Sequence, residues 1–160
     1  MDSTEETADG KRRIAAAPWC ARARNAALLY TAIAVGSIVG SVLRWLVGLW
    51  SQAVVGGEFP WATLFVNDSG SFVIGLFATL TGPDGRLFVG PRTRHFVMTG
   101  VCGGYTTFSM FSLETLRAMQ RGALGEAATY VAVSITTWLA GVWAGDAIAS
   151  RLNRLNLRRG

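Results

Sequence analysis

The sequence predicts an all-α integral membrane protein with four transmembrane helices per subunit, the third broken at mid-membrane. Three observations predict it. About half of the 160 residues are hydrophobic, mean hydropathy is positive, and the charges gather in short segments. Four apolar stretches reach the roughly 20 residues that a bilayer core requires. The third stretch carries three glycines at its centre, in "GVCGGYTTFSMFS" at 100–112.

Each element follows in order. Residues 1–26 open as "MDSTEETADGKRR", acidic and then basic with no apolar pattern, and read as a disordered cytoplasmic tail. The membrane domain occupies 27–150, with spans at about 27–50, 60–81, 95–119 and 124–149. Pro60 suits the first turn of the second helix. The linker "GPDGRLFVGPRTR" is rich in turn formers. "QRG" at 120–122 is so short that spans three and four must be antiparallel neighbours. Residues 151–160 form a basic cytoplasmic tail.

Charge gives the orientation. Of the fifteen Lys and Arg residues, twelve fall on the side of the two termini and two, Arg117 and Arg121, on the other, with Arg44 near the end of span one. The positive-inside rule puts both termini in the cytoplasm, and the chain reads as a multi-pass protein of the cell membrane. The net charge of +5 does not indicate nucleic acid, because the arginines flank apolar segments and form no stripe. Cys20 and Cys102 are the only cysteines, one in a polar tail and one at membrane depth, so neither a disulfide nor a metal pair is expected.

Polar residues at membrane depth are the candidates for function. Asn67 and Asp68 lie about two turns into span two. Asn67 shares a helix face with Ser71, and either bonds a neighbouring helix or serves a path. Arg44 reads first as a snorkelling side chain and second as a cation drawing an anion into a vestibule. Gly36 with Gly40, and Gly141 with Gly145, have the spacing of close helix contacts. Tyr130, Ser134, Thr137 and Gly141 share one face of span four, either lining a wet path or bonding between helices. Trp138 and Trp143 read as packing or interface residues.

Gly100, Gly103 and Gly104 each weaken a helix by about 1 kcal/mol relative to alanine, and together predict a break. A break at this depth frees backbone groups that need partners away from lipid, and broken helices of this kind bind ions in transporters. Close helix packing is the alternative use of the glycines. Phe108 and Phe111, three apart, share a face just beyond; their positive ring edges suit an anion, while core packing is the commoner use. Glu114 follows one turn later, as a pathway carboxylate or a helix-end charge.

"VNDSGSF" at 66–72, "GVCGGYTTFSMFSLE" at 100–114 and "GSVLRWLVG" at 40–48 together resemble the signature segments of the CrcB/Fluc fluoride channel family. The resemblance covers the chain beyond the tail. It implies an antiparallel dimer of four-helix subunits that carries fluoride down its gradient. It implies that Asn67, Phe108 and Phe111 line the fluoride path, and that Ser109, Glu114, Tyr130 and Ser134 lie along or near a polar track. It further implies a structural sodium ion (Na+), not transported, held at the dimer centre by the main-chain carbonyls of Gly103 and Thr106. Met110 departs from the hydroxyl usual at its position, and Asp68 adds a charge beside Asn67.

The residues themselves favour passive conduction. Four spans are few to enclose a pore, so a second subunit is expected: the same chain in dual topology, or an oppositely oriented paralogue. No P-loop points to ATP-driven pumping, and no nucleophile–base pair or His/Cys cluster points to an enzyme. The rival function is a small dimeric proton-coupled exporter of cationic or organic solutes with Glu114 as the coupling site; a further one is a non-conducting partner subunit.

Overall fold

A computed structural model describes residues 3–56 and 59–157, with side chains over 19–56 and 59–154. The chain is helical almost throughout. Helix α1 spans Ser3–Val54, α2 Trp61–Leu80, and α6 Leu124–Leu157. Between α2 and α6 lie a short α3 (Pro91–His95), a π-helical segment (Phe96–Cys102), α4 (Gly103–Tyr105) and α5 (Phe108–Gln120). Among the described residues, three helical stretches are long and apolar enough to cross a membrane: Trp19–Val54, Trp61–Leu80 and Leu124–Arg154. The region read as the third span, 95–119, is divided among shorter helices, none of which is long enough alone.

Helix extends into both segments read as tails. The segment 1–26, read as disordered, is helical from Ser3. Its Ala, Glu, Lys and Arg residues are strong helix formers, and they extend a helix already nucleated by the apolar stretch. At the other end α6 continues through residues 151–157, which were read as tail.

The helices pack through small residues. α2 lies along α6, where Gly141 meets the Asp68 backbone and Gly145 the Phe72 and Leu76 backbones. α1 crosses the π-helical segment and α4, with Gly36 and Gly40 on one side and Gly100 and Gly104 on the other. A Cβ at Gly100 would come within 2.9 Å of the Ile33 carbonyl oxygen and of the Gly36 Cα. Gly100 and Gly104 therefore serve close approach. The turn between α5 and α6 closes with Gly122 at φ 77°; Gly122 N–H bonds the Met119 carbonyl and Ala123 N–H the Ala118 carbonyl. That is the Schellman pattern, and a left-handed residue is required at its centre.

Large apolar side chains cover the outside. Ile38, Val42, Trp45, Leu49 and Trp50 on α1, with Ile135, Leu139 and Trp143 on α6, are all exposed. Water-exposed apolar area of this extent does not suit a soluble monomer, whereas lipid or another apolar surface covers it at no cost. The molecule is an all-helical membrane protein.

Candidate functional site

The helical backbone is interrupted at Thr106 and Thr107, which are both extended (φ −81°, ψ 159° and φ −152°, ψ 120°). This lies two residues beyond the glycines that were read as the break. Gly103 and Gly104 remain inside a helical turn, and Thr106 N–H still donates to the Cys102 carbonyl at 2.9 Å. The Thr106 hydroxyl donates to the same carbonyl at 2.9 Å, and Thr107 caps α5 by accepting the Met110 N–H at 3.2 Å. Thr107 thus caps the second helix, while Thr106 adds a second donor to a carbonyl of the first.

Asn67 closes the gap from α2. Its Oδ1 accepts the Thr107 N–H at 2.7 Å, and its Nδ2 donates to the Thr107 carbonyl at 2.9 Å. Both residues are buried. The amide replaces, in both directions, the partners that a continuous helix would have offered, and one Nδ2 hydrogen remains for another acceptor.

The main-chain oxygens of Gly103 and Thr106 are among those released by the same arrangement. The Thr107 N–H that would have reached the Gly103 carbonyl goes to Asn67, and the Met110 N–H that would have reached the Thr106 carbonyl goes to Thr107 Oγ1. Arg44 donates to the Thr106 carbonyl at 3.2 Å. Arg44 therefore docks on the interruption, because a carbonyl stripped of its helical donor lies within its reach. The Thr106 oxygen keeps a second lone pair, and nothing lies within 4 Å of a Cβ built at Gly103.

Two cavities flank the interruption, and Thr107 lines both. The larger, about 980 Å³, is lined by Arg44, Thr63, Ser109, Met110, Glu114 and Tyr130 among others. Arg117 and Arg121 also line it, with Arg121 paired to Glu126 at 3.2 Å, so its wall carries both signs of charge. Glu114 accepts from Thr63 Oγ1 at 2.8 Å through one oxygen and from the Tyr130 hydroxyl at 2.8 Å through the other. The smaller cavity, about 280 Å³, is lined by Asn67, Ser71, Gly103, Thr106, Phe108 and Trp138, among others. Phe111 is buried and lies beside Tyr130 and Trp138, with ring centroids 5.2 and 5.0 Å away. Phe108 is 5.6 Å from Phe111 yet 72% exposed.

The residues singled out in the sequence are thus largely brought together. Asn67, Arg44, Gly103, Thr106, Phe108 and Phe111 surround the interruption, and Ser109, Glu114, Tyr130 and Met110 group at the larger cavity. Ser134 is fully buried on α6, one turn from Tyr130. Asp68 is half-buried against Gly141 on the far side of α2. Sequence reasoning missed Thr63 and missed Thr107 as the partner of Asn67, whereas Trp138, read as a packing or interface residue, packs on Phe111. Thr63 was legible, since it precedes Asn67 by four and shares its face; Thr107 also carried the mark of an N-cap, a hydroxyl directly before an apolar run.

An interrupted helical segment closed by an amide, set among membrane-length helices and flanked by arginines, hydroxyls and aromatic rings, defines a helical membrane protein whose polar centre is a helix interruption. The chain belongs to the CrcB-like protein family: the model described as "CrcB-like protein, Camphor Resistance (CrcB)" matches residues 31–146. The chain is 54% identical over 132 residues to the "Fluoride-specific ion channel FluC 1" of Rhodopseudomonas palustris (strain BisB18), covering 82% of this chain and 94% of that one. Identity to the protein of the same name from Bradyrhizobium diazoefficiens is 53% over 138 residues, 86% and 96% of the two chains. The "Fluoride-specific ion channel FluC" of Rhodospirillum rubrum is 53% identical over 127 residues, 79% and 98% of the two chains.

Proposed function

We propose that this chain is a subunit of a fluoride-specific ion channel of the cell membrane, which lets fluoride leave passively and lowers its cytoplasmic concentration. The observation that carries the reading is the amide of Asn67 closing the interruption at Thr107 beside Phe108 and Phe111. The names of the relatives support it. Asn67, Phe108, Phe111, Ser109, Glu114, Tyr130 and Ser134 form or border the path. Amide, hydroxyl and ring-edge donors suit a small, hard anion. Arg44 and Arg117, which have no carboxylate partner among the described residues, attract anions at the mouth.

The interrupted region from α3 to α5 serves as the fourth crossing. Backbone irregularity at that depth is tolerated where it is buried in protein, and Asn67 and Arg44 supply the partners. The termini are cytoplasmic by the distribution of Lys and Arg. Two subunits pair antiparallel, and the marked charge bias favours an oppositely oriented paralogue as the second. The released carbonyls of Gly103 and Thr106 would hold a structural sodium ion, a hard cation suited to oxygen donors. When bound, that ion supplies positive charge at the broken ends.

The test is fluoride efflux from liposomes in sodium buffer, without ATP or an imposed proton gradient. This chain is measured alone and with an oppositely biased paralogue. Fluoride release far faster than chloride release is expected in at least one preparation. Equal release of the two anions, or none in either preparation, overturns the reading.

A further inference from the structure

Two polar atoms are buried without a hydrogen-bond partner among the described residues: Ser134 Oγ and Trp138 Nε1. They are four residues apart on α6, on the face that also carries Tyr130. Neither satisfies the other. Buried polar groups are almost always paired, so two orphans one helical turn apart are an unusual feature of the core.

The chemistry of the pair narrows what it can bind. An indole N–H only donates, so its partner must be an acceptor. Asn67 Oδ1 and both Glu114 oxygens already accept other donors, and neither side chain bonds the indole N–H. A cation gains nothing from the indole N–H. A small anion accepts from the indole and the hydroxyl together.

Position agrees with chemistry. Trp138 lines the smaller cavity with Asn67 and Phe108, and its ring meets Phe111 at 71°, while Phe111 also meets Tyr130 at the larger cavity. Phe111 therefore stands between the two cavities and covers the α6 face that carries the orphans.

We propose that the indole N–H of Trp138, with the Ser134 hydroxyl beside it, is a hydrogen-bond donor to the permeating anion. The anion reaches it when the Phe111 ring turns aside. This assignment rests on the fluoride-channel reading and adds a donor to it.

The experiment compares fluoride efflux from liposomes for three proteins, each in whichever subunit combination conducts. These are the unmodified chain, Trp138→Phe, and the chain with 3-benzothienylalanine at position 138. The last replaces the indole N–H by sulfur at nearly unchanged shape, so folding is preserved even if Trp138→Phe is unstable. Efflux of both variants is expected to fall about tenfold, with unchanged elution and thermal unfolding of the benzothienyl protein. Normal efflux from the benzothienyl protein overturns the assignment. Normal efflux with lowered thermal stability also overturns it, because the N–H would then be bonding the Phe111 ring. If the unmodified chain releases no fluoride in any combination, the channel reading itself fails and the assignment falls with it.

Discussion

Asn67 and Thr107, forty residues apart in the chain, exchange two hydrogen bonds: Thr107 N–H to Asn67 Oδ1 at 2.7 Å and Asn67 Nδ2 to the Thr107 carbonyl at 2.9 Å. The pair satisfies both peptide groups of Thr107 where the helix stops and restarts. Asn67→Ala leaves both Thr107 groups buried and unpaired. We expect a loss of about 2–4 kcal/mol in stability, read as a lowered unfolding temperature in detergent, with fluoride efflux abolished. Asn67→Asp keeps the acceptor and loses the donor, so its stability should fall between the two.

The crossing of α1 over the π-helical segment and α4 makes a second expectation. A Cβ at Gly40 would collide with the Val101 carbonyl and lie 2.7 Å from the Tyr105 nitrogen, whereas one at Gly48 meets nothing within 4 Å. Gly40→Ala should cost about 1–3 kcal/mol through forced separation of two backbones. Gly48→Ala, in the same helix, should be neutral or stabilising by up to about 1 kcal/mol. Thermal unfolding of the two variants side by side checks the difference.

Phe108 and Phe111 should separate by assay. Phe111 is buried between Tyr130 and Trp138, so Phe111→Ile should lower stability by about 1–2 kcal/mol and also reduce fluoride flux. Phe108 is largely exposed in the single chain, so Phe108→Ile should leave the unfolding temperature of the isolated chain nearly unchanged while flux falls. Paired unfolding and efflux measurements distinguish a path residue from a packing one.

Exchange of sodium for potassium or an organic cation should weaken subunit pairing, read by gel filtration at low protein concentration. The carbonyl site proposed for sodium does not suit a larger cation. Arg44→Ala removes the donor to the Thr106 carbonyl, leaving that oxygen for the cation alone. Pairing of this variant should depend more steeply on sodium than that of the unaltered chain.

Orientation can be read with the native thiols, because Cys20 is exposed and Cys102 is buried. An impermeant maleimide should label Cys20 in inverted vesicles and leave intact cells unlabelled, with Cys20→Ser as the blank. Equal labelling from both sides would establish dual topology for this chain.

Much of the architecture was legible along the chain. Apolar length marked the helices, short linkers marked their adjacency, and a spacing of four put Tyr130 and Ser134 on one face, because these properties depend only on local composition and helical period. Gly40 and Gly104 show where that legibility stops: glycine weakens a helix and also lets two backbones meet, and only the crossing of α1 shows that the second use applies here. The interruption fell at Thr106 and Thr107 because Asn67 and Arg44 wait there from other helices, and no local pattern encodes such partners. The sequence by itself determined which segments are apolar and which polar residues lie within them. Tertiary structure decided which of those residues close the broken backbone and which remain free to bind, since a hydrogen bond has a short range and a packed helix sets what comes within it.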